Sequence, residues 1–393
     1  MTDAIITSML NDDLYKFTQG AVVFHNFPNV KVRYEFINRG KTQFPKGFDY
    51  ELKRQIHKLS FLIVQPNEVD FLNDQSFMRR TYVDWFRNYQ YDPSEVTITQ
   101  TNGDLSIIIE GYWYRAIYWE VKLMAIISEL YFKITGVKMD DNWINRILEK
   151  AEALSSAGCL WSDFGTRRRF SGFVQDTVVK LMATYKGFVG TSNMYYAMLN
   201  RVKPIGTSAH EAVMAMSGIF GPENANTEWL KHWRGYYGNE LNIALPDTFT
   251  TEVFLRTFSY QDALDWEGLR QDSGDPNDWV DNKIIPYYKM LGVSLKKKKI
   301  VFSDNLNIPK VLDLQKKYKD ICIPVFGIGT NLTNNVFSEN QEKEGIKPLN
   351  MVIKLVAIDF GSGWVNVIKL SDDLGKYTGN PETIAWVKDR LGI

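Results

Sequence analysis

The sequence predicts an α/β fold, a parallel β/α barrel carrying an N-terminal α+β domain, and three observations lead there. From about residue 158 onward short apolar runs recur, and each ends in a cluster of small or polar residues. Several intervals between them carry helical spacing, as in Ala212–Met216 and Pro309–Tyr318. A polar cluster follows every strand-like run, as a parallel barrel requires, whereas a doubly wound sheet would gather such clusters near one switch point. At 393 residues the chain is also too long for one ordinary core, which a barrel with a second domain accommodates. The expected division is an α+β domain over 1–150, the barrel over 151–350, and a segment over 351–393 that completes the barrel or packs on the first domain.

The elements follow in order. Val30–Phe36 alternates as a half-buried strand. Val96–Thr99 and Leu105–Ile109, joined by Asn102-Gly103-Asp104, form a hairpin pattern, and Tyr118–Lys133 has helical spacing. The barrel runs are Cys159–Trp161, Val202–Ile205, Ile243–Leu245, Leu269, Lys299–Phe302 and Ile323–Phe326. Met351–Val356 and Trp364–Ile368 add two strands around Asp359–Gly363, and Pro381–Leu391 is a closing helix.

Composition narrows the function. Lys+Arg and Asp+Glu both number 46, a balance that argues against a nucleic-acid binder. Cys159 and Cys322 match no metal spacing and are too few for a disulfide framework. Early aspartates (Asp3, Asp12, Asp13) and the lack of an apolar secretory core beside them argue against a leader, and Glu120, Lys122, Glu129 and Lys133 interrupt the longest apolar region, so neither a leader nor a membrane span is expected and the cytoplasm is the expected compartment.

Four motifs carry the chemistry. In Gly206-Thr207-Ser208-Ala209-His210-Glu211, Ser208 and Glu211 have capping-box spacing, which predicts a helix with Ser208 as N-cap and His210 in its first turn. A phosphoryl group taken up by that imidazole would meet unpaired N–H groups and the positive end of the helix dipole. Asp163-Phe164-Gly165-Thr166-Arg167-Arg168-Arg169 sets an aromatic ring beside three guanidinium groups suited to anions. Gln271-Asp272-Ser273-Gly274-Asp275 offers carboxylates around a tight turn, with Arg270 just before it, and Gly327-Ile328-Gly329-Thr330 can cradle a phosphate on backbone N–H groups. Leu332 stands where a dinucleotide fingerprint needs its third glycine, and Glu35 where a Walker loop ending in Gly40-Lys41-Thr42 needs its first. Each motif alone has a bland alternative: a capping histidine, a solvated arginine face, an ordinary Asp-Gly turn. Together they suit a phosphorylated ribose.

With Tyr15-Lys16-Phe17-Thr18 and Phe302-Ser303-Asp304-Asn305 added, six motifs stand in order, and over essentially its whole length the chain resembles the nicotinate phosphoribosyltransferase family. The resemblance implies an irregular TIM-like barrel, a homodimer, and formation of nicotinate mononucleotide and pyrophosphate from nicotinate and phosphoribosyl pyrophosphate. ATP hydrolysis would be coupled through a phosphohistidine at His210, and Mg²⁺ would enter with the substrates. By the same resemblance Phe164 and Tyr15, the latter from the partner subunit, sandwich the pyridine ring. Arg167, Thr207 and Arg270 surround nicotinate and the reacting end of the ribose. Asp272 binds ribose hydroxyls, Gly329 and Thr330 the 5′-phosphate, and Arg39, Lys354, Lys369 and Lys376 the pyrophosphate. Related nicotinamide phosphoribosyltransferases, the alternative assignment, place an aspartate in a Lys-Gly-containing loop whose counterpart here is Lys186-Gly187-Phe188-Val189-Gly190-Thr191-Ser192-Asn193; Ser192 or its neighbour takes that place, and a hydroxyl suits a carboxylate substrate. A quinolinate enzyme would not require His210 or ATP, and a nucleotide sensor would have no need of the phosphoryl acceptor.

Overall fold

The structure, a computed structural model, describes residues 3–393. Its strands are β1 (Lys31–Ile37), β2 (Val96–Thr101), β3 (Asp104–Tyr112), β4 (Leu160–Asp163), β5 (Phe188–Thr191), β6 (Ile243–Ala244), β7 (Gly268–Gln271), β8 (Lys299–Phe302), β9 (Ile323–Ile328), β10 (Val352–Asp359) and β11 (Trp364–Asn366). They form two sheets, ordered β11-β10-β1-β3-β2 and β5-β4-β9-β8-β7-β6.

The first sheet is antiparallel throughout. Asn102 and Gly103 both adopt positive φ (50° and 86°), which gives the tight β2–β3 turn the twist that matches its strands. Alternation puts Val32, Tyr34, Ile107 and Ile109 in the core. Of the two courses open to the C-terminal segment, β10 takes the one that adds it to β1, along the register from Lys31–Asp359 to Ile37–Val352.

The second sheet is parallel, with helices between its strands. Its polar clusters do follow the strands, but two assignments change. Val202–Ile205 makes only an isolated bridge, Pro204 to Thr191, while Phe188–Thr191, loop-like in sequence, is β5. The glycines that disguise it are packing devices. A Cβ on Gly187 would stand 2.2 Å from the Cys159 carbonyl oxygen, and one on Gly190 1.9 Å from that of Lys203. Among the described residues no ladder joins β5 to β6, so the hydrogen-bonded sheet is an open series of six strands rather than a closed ring.

The sheets meet through the helix His210–Phe220. A Cβ on Gly218 would lie 2.6 Å from Cδ1 of Ile358, so this glycine admits β10 to the helix. Beyond β11 the chain latches onto the second sheet's loops: Leu370 N–H donates to the Thr248 carbonyl (2.9 Å) and Thr251 N–H to Asp372 (2.7 Å). That latch carries Lys369 to His210.

Candidate active site

His210 is the first residue of its helix, but the expected cap is absent. The N-cap is Ala209, whose N–H donates to the side chain of Gln19 (3.0 Å). Ser208 instead accepts from the Trp229 indole (2.8 Å), and Glu211 turns to Lys16 and Gln19. Tertiary partners take both side chains of the capping-box spelling.

The His210 ring is buried and held at both nitrogens. Nδ1 lies 3.0 Å from Oγ1 of Thr248; Nε2 lies 3.0 Å from Oδ2 of Asp272 and 2.9 Å from Nζ of Lys369. An ammonium needs a lone pair on Nε2 and a carboxylate needs a proton there, so the two neighbours make opposite demands. Burial and then the Lys369 charge push the imidazole down to about 4, against Asp247 and Asp272. The ring is therefore neutral and carries one proton: on Nδ1 it is donated to Thr248 and leaves the Nε2 lone pair for Lys369, and on Nε2 it is donated to Asp272. Asp272 is supported elsewhere: Oδ1 accepts from Arg270 (2.8 Å) and Ser303 (2.6 Å). Burial opposes its charge, but Arg270 and then His210 and Lys369 hold its carboxyl well below the usual range.

Arg270 also donates to Ser303 (2.8 Å) and the Ser208 carbonyl (3.4 Å), which ties the end of β7 to the loop before His210. Asp247 is buried; its Oδ2 accepts from Ser273 and its Oδ1, 3.8 Å from His210 Nε2, has no hydrogen-bond partner among the described residues. Sequence reasoning does not single out Asp247, Thr248 or Ser303, although all three stand in post-strand clusters, the signal that could have found them.

A second group centres on Tyr15. Its hydroxyl donates to Glu120 (3.2 Å), and the Arg167 guanidinium lies 6.0 Å from its ring centroid. Tyr15 is thus beside Arg167 of its own chain, so a ring supplied by a second subunit is not needed for this pairing. Lys16, fully buried, bridges Glu120 (2.6 Å) and Glu211 (2.8 Å). Sequence reasoning misses Glu120 and Lys16 as site residues, because one reads as a charge interrupting an apolar helix and the other as a motif neighbour. Burial alone would favour a neutral Lys16, yet the two carboxylates hold its ammonium above its ordinary value.

Cations crowd the remaining side. Lys354, on β10, is pushed down to about 7 by burial, then Lys369, with Arg167 and Arg39 adding to it and Glu120 opposing. Arg168 falls to about 10 for burial, then Arg167 and Arg39. Among these cations Arg167 has Glu120 only at 3.9 Å, so the like charges outweigh the carboxylate facing them, an arrangement that can accept an anion. Of the arginine run, Arg169 alone is core, donating to Asn11 (2.9 Å) and Gln175 (3.1 Å).

The other expected residues divide. Phe164 follows β4, and its ring fills the space a Cβ on Gly327 would occupy, 2.4 Å from Cδ2 and Cε2. Gly329 and Thr330 open the turn after β9, half-buried beside it. Thr207 is pinned by its carbonyl, which accepts from Thr18 (2.7 Å). Ser192 departs from expectation, for its hydroxyl donates to Asp13 (2.7 Å) and its proton is committed. Lys376 pairs with Asp304 (2.7 Å) rather than with the Lys354 cluster.

Two family models cover most of the chain: the nicotinate phosphoribosyltransferase (NAPRTase) family over residues 159–393 and its N-terminal domain over residues 10–128. A nicotinate phosphoribosyltransferase of Desulforapulum autotrophicum is 43% identical over 97% of this chain and 97% of its own length, and one of Chromohalobacter salexigens is 40% identical over 99% of each. The crystal structure of nicotinate phosphoribosyltransferase from Porphyromonas gingivalis superposes with a TM-score of 0.95 at 35% identity, covering 99% of this chain and 100% of that one. That from Vibrio cholerae gives 0.91 at 30% identity, covering 100% and 95%. With the site residues held on these elements and the likeness running from end to end, the chain belongs to the nicotinate phosphoribosyltransferase family.

Proposed function

We propose that this chain joins nicotinate to phosphoribosyl pyrophosphate, giving nicotinate mononucleotide and pyrophosphate for NAD biosynthesis, with ATP hydrolysed through a phosphoryl group carried on His210. The observation that carries this is the His210 ring itself: neutral, anchored at Nδ1 by Thr248, with Nε2 facing Lys369. Nε2 attacks the γ-phosphorus of ATP, the N–P bond forms as the P–O bond to ADP breaks, and water later returns the ring and phosphate. The N-terminal turn of the helix and Lys369 face the charge that accumulates. Arg270 and Ser303 hold Asp272 where ribose hydroxyls can donate to it.

As pyrophosphate leaves, C1 of the ribose gains positive charge and the leaving group negative charge. Lys354, Lys369, Arg39 and Arg168 stabilise the latter more in the transition state than in the ground state. Phe164 and Tyr15 orient the pyridine nitrogen, which reduces the entropic barrier. Acid is preferred over amide because the Arg167 guanidinium beside Tyr15 attracts a carboxylate; with Ser192 committed to Asp13, the preference no longer needs its hydroxyl. Among the described residues no three or more His, Cys, Asp or Glu side chains could hold a metal by themselves. The carboxylates of Asp247 and Asp272 suit Mg²⁺ arriving on the phosphates, where it would neutralise leaving-group charge. Gly329 and Thr330 receive the 5′-phosphate, the open sheet curls into an irregular barrel, and the working unit is a homodimer. No described helix is long and apolar enough to cross a membrane.

Product formation from phosphoribosyl pyrophosphate and Mg²⁺, with nicotinate or nicotinamide and with or without ATP, tests the proposal. Nicotinate mononucleotide that rises with ATP in the wild type and not in His210→Asn supports it. Turnover of nicotinamide instead assigns the amide reaction.

A further inference from the structure

The two halves of the site are joined by a chain of buried charges that the reaction above does not use. Glu211 follows His210 directly on the helix; Oε2 accepts from Lys16 (2.8 Å) and Oε1 from Gln19 (2.6 Å). Gln19 in turn accepts the N–H of Ala209, the N-cap of the same helix (3.0 Å). From the other side Lys16 meets Glu120 (2.6 Å), whose carboxylate receives the Tyr15 hydroxyl (3.2 Å) and lies 3.9 Å from Arg167. Lys16 has no exposed side-chain surface, and the two carboxylates are 8% and 7% exposed.

We propose that Lys16 is a positioning residue that sets Tyr15 and Arg167 at the pyridine end in register with the helix turn bearing His210. A fold needing only stability at this place would be served as well by apolar side chains, since a buried ion pair contributes little net stability. Here one lysine is shared between carboxylates of two different helices. One carboxylate holds the groups that would meet nicotinate, the other neighbours the phosphoryl acceptor. The arrangement makes the base site sensitive to any movement of that turn. It rests on the function proposed above.

The test compares wild type, Lys16→Met and Glu211→Gln, with steady-state KM for nicotinate and for phosphoribosyl pyrophosphate and the ATP hydrolysed per product formed. Misplacing the base-end groups should raise KM for nicotinate by on the order of tenfold to a hundredfold, more than that for phosphoribosyl pyrophosphate. The ATP used per nicotinate mononucleotide should rise in both variants, although both side chains are buried. A purely structural lysine would lower folded protein and kcat while leaving both the KM contrast and the ATP ratio at wild-type values, and that result overturns the proposal. Should Lys16→Met fail to fold, Lys16→Gln, which leaves Glu120 in place beside Tyr15 and Arg167, is measured in the same way, and the same shifts support the proposal or, if absent, overturn it. Wild type that makes no nicotinate mononucleotide overturns the function and this inference together, whereas active wild type with unmoved variants overturns the inference alone.

Discussion

Replacing Lys369 by Met should move the titration of His210 and, with it, the pH range of phosphoryl acceptance. Burial and then Lys369 hold the ring from the ordinary 6.5 down to about 4. That interval corresponds to about 3 kcal/mol favouring the neutral ring in the folded protein. The sign follows from which state binds the proton first. As pH falls below 6.5 the unfolded chain protonates while the folded ring does not, so stability is complete above the ordinary value and is lost on the way down to about 4. At pH 6 a ring with this value is about 99% neutral, against about a quarter at the ordinary value. Lys369→Met removes the cation 2.9 Å from Nε2 and leaves Asp272 at 3.0 Å. Burial, the larger cause, stays, so the pKa rises from its native value by a part of that interval.

The chain has only four histidines, so His25, His57 and His232 can be changed to Gln, leaving His210 alone. Nitrogen NMR of the labelled ring gives the pKa directly, and phosphate incorporation from γ-labelled ATP gives the rate profile. Wild type should accept phosphate undiminished through pH 6 and lose activity only near the low value; the variant should decline at a higher pH. A wild-type inflexion at the ordinary histidine value, or identical profiles for both proteins, would refute the reasoning.

Three further outcomes are expected. Lys354, held at about 7, is largely neutral in the free enzyme at pH 8, so binding of pyrophosphate should raise its pKa and take up a proton; calorimetry in two buffers of different ionisation enthalpy should show uptake that Lys354→Met abolishes. Gly327→Ala places a methyl 2.4 Å from two ring carbons of Phe164, and should raise KM for nicotinate while costing about 1–3 kcal/mol in urea denaturation. Lys122 and Asp12 are paired at 2.8 Å with no exposure, so Lys122→Met strands a carboxylate and should destabilise by about 3–5 kcal/mol, less where Asp12 can protonate, which acidic denaturation series would reveal.

Local pattern makes much of this molecule legible. The Asn-Gly turn encodes its own conformation, and the closing helix runs Pro381–Leu391 as its periodicity requires. Strands β4, β6, β8 and β9 announce themselves because buried parallel strands are apolar runs ending where chemistry begins, whereas β7, Gly268–Gln271, shows only Leu269 before Arg270. β5 hides because its glycines answer to Cys159 and Lys203, neighbours in space that no window includes. The same limit explains the cap: Ser208 and Glu211 have the right spacing, but Trp229, Lys16 and Gln19 compete for their side chains and win. Residues with an intrinsic chemical signature, such as His210 and Arg167, stand out in the sequence; Lys16, Glu120 and Asp247 acquire significance only from what the fold sets against them.

That distinction bears on why the cations tolerate one another. Lys354, Lys369, Arg39, Arg167 and Arg168 converge from β10, the latch after β11, the loop after β1 and the loop after β4, and two of them are driven well down from their ordinary values. No local rule would place them together, and each carries a desolvation cost. The opposing carboxylates, Glu120, Glu211 and Asp272, are themselves engaged by Lys16 and Arg270, so they temper the cluster without filling it. A polyanion entering the site would relieve repulsion already present in the folded chain, and its binding would therefore be favoured by strain as well as by contact. On this argument a variant that lessens the repulsion, such as Lys354→Met, should be more stable alone and gain less from pyrophosphate, as thermal unfolding with and without the ligand would show; a variant less stable in both conditions would place the strain elsewhere.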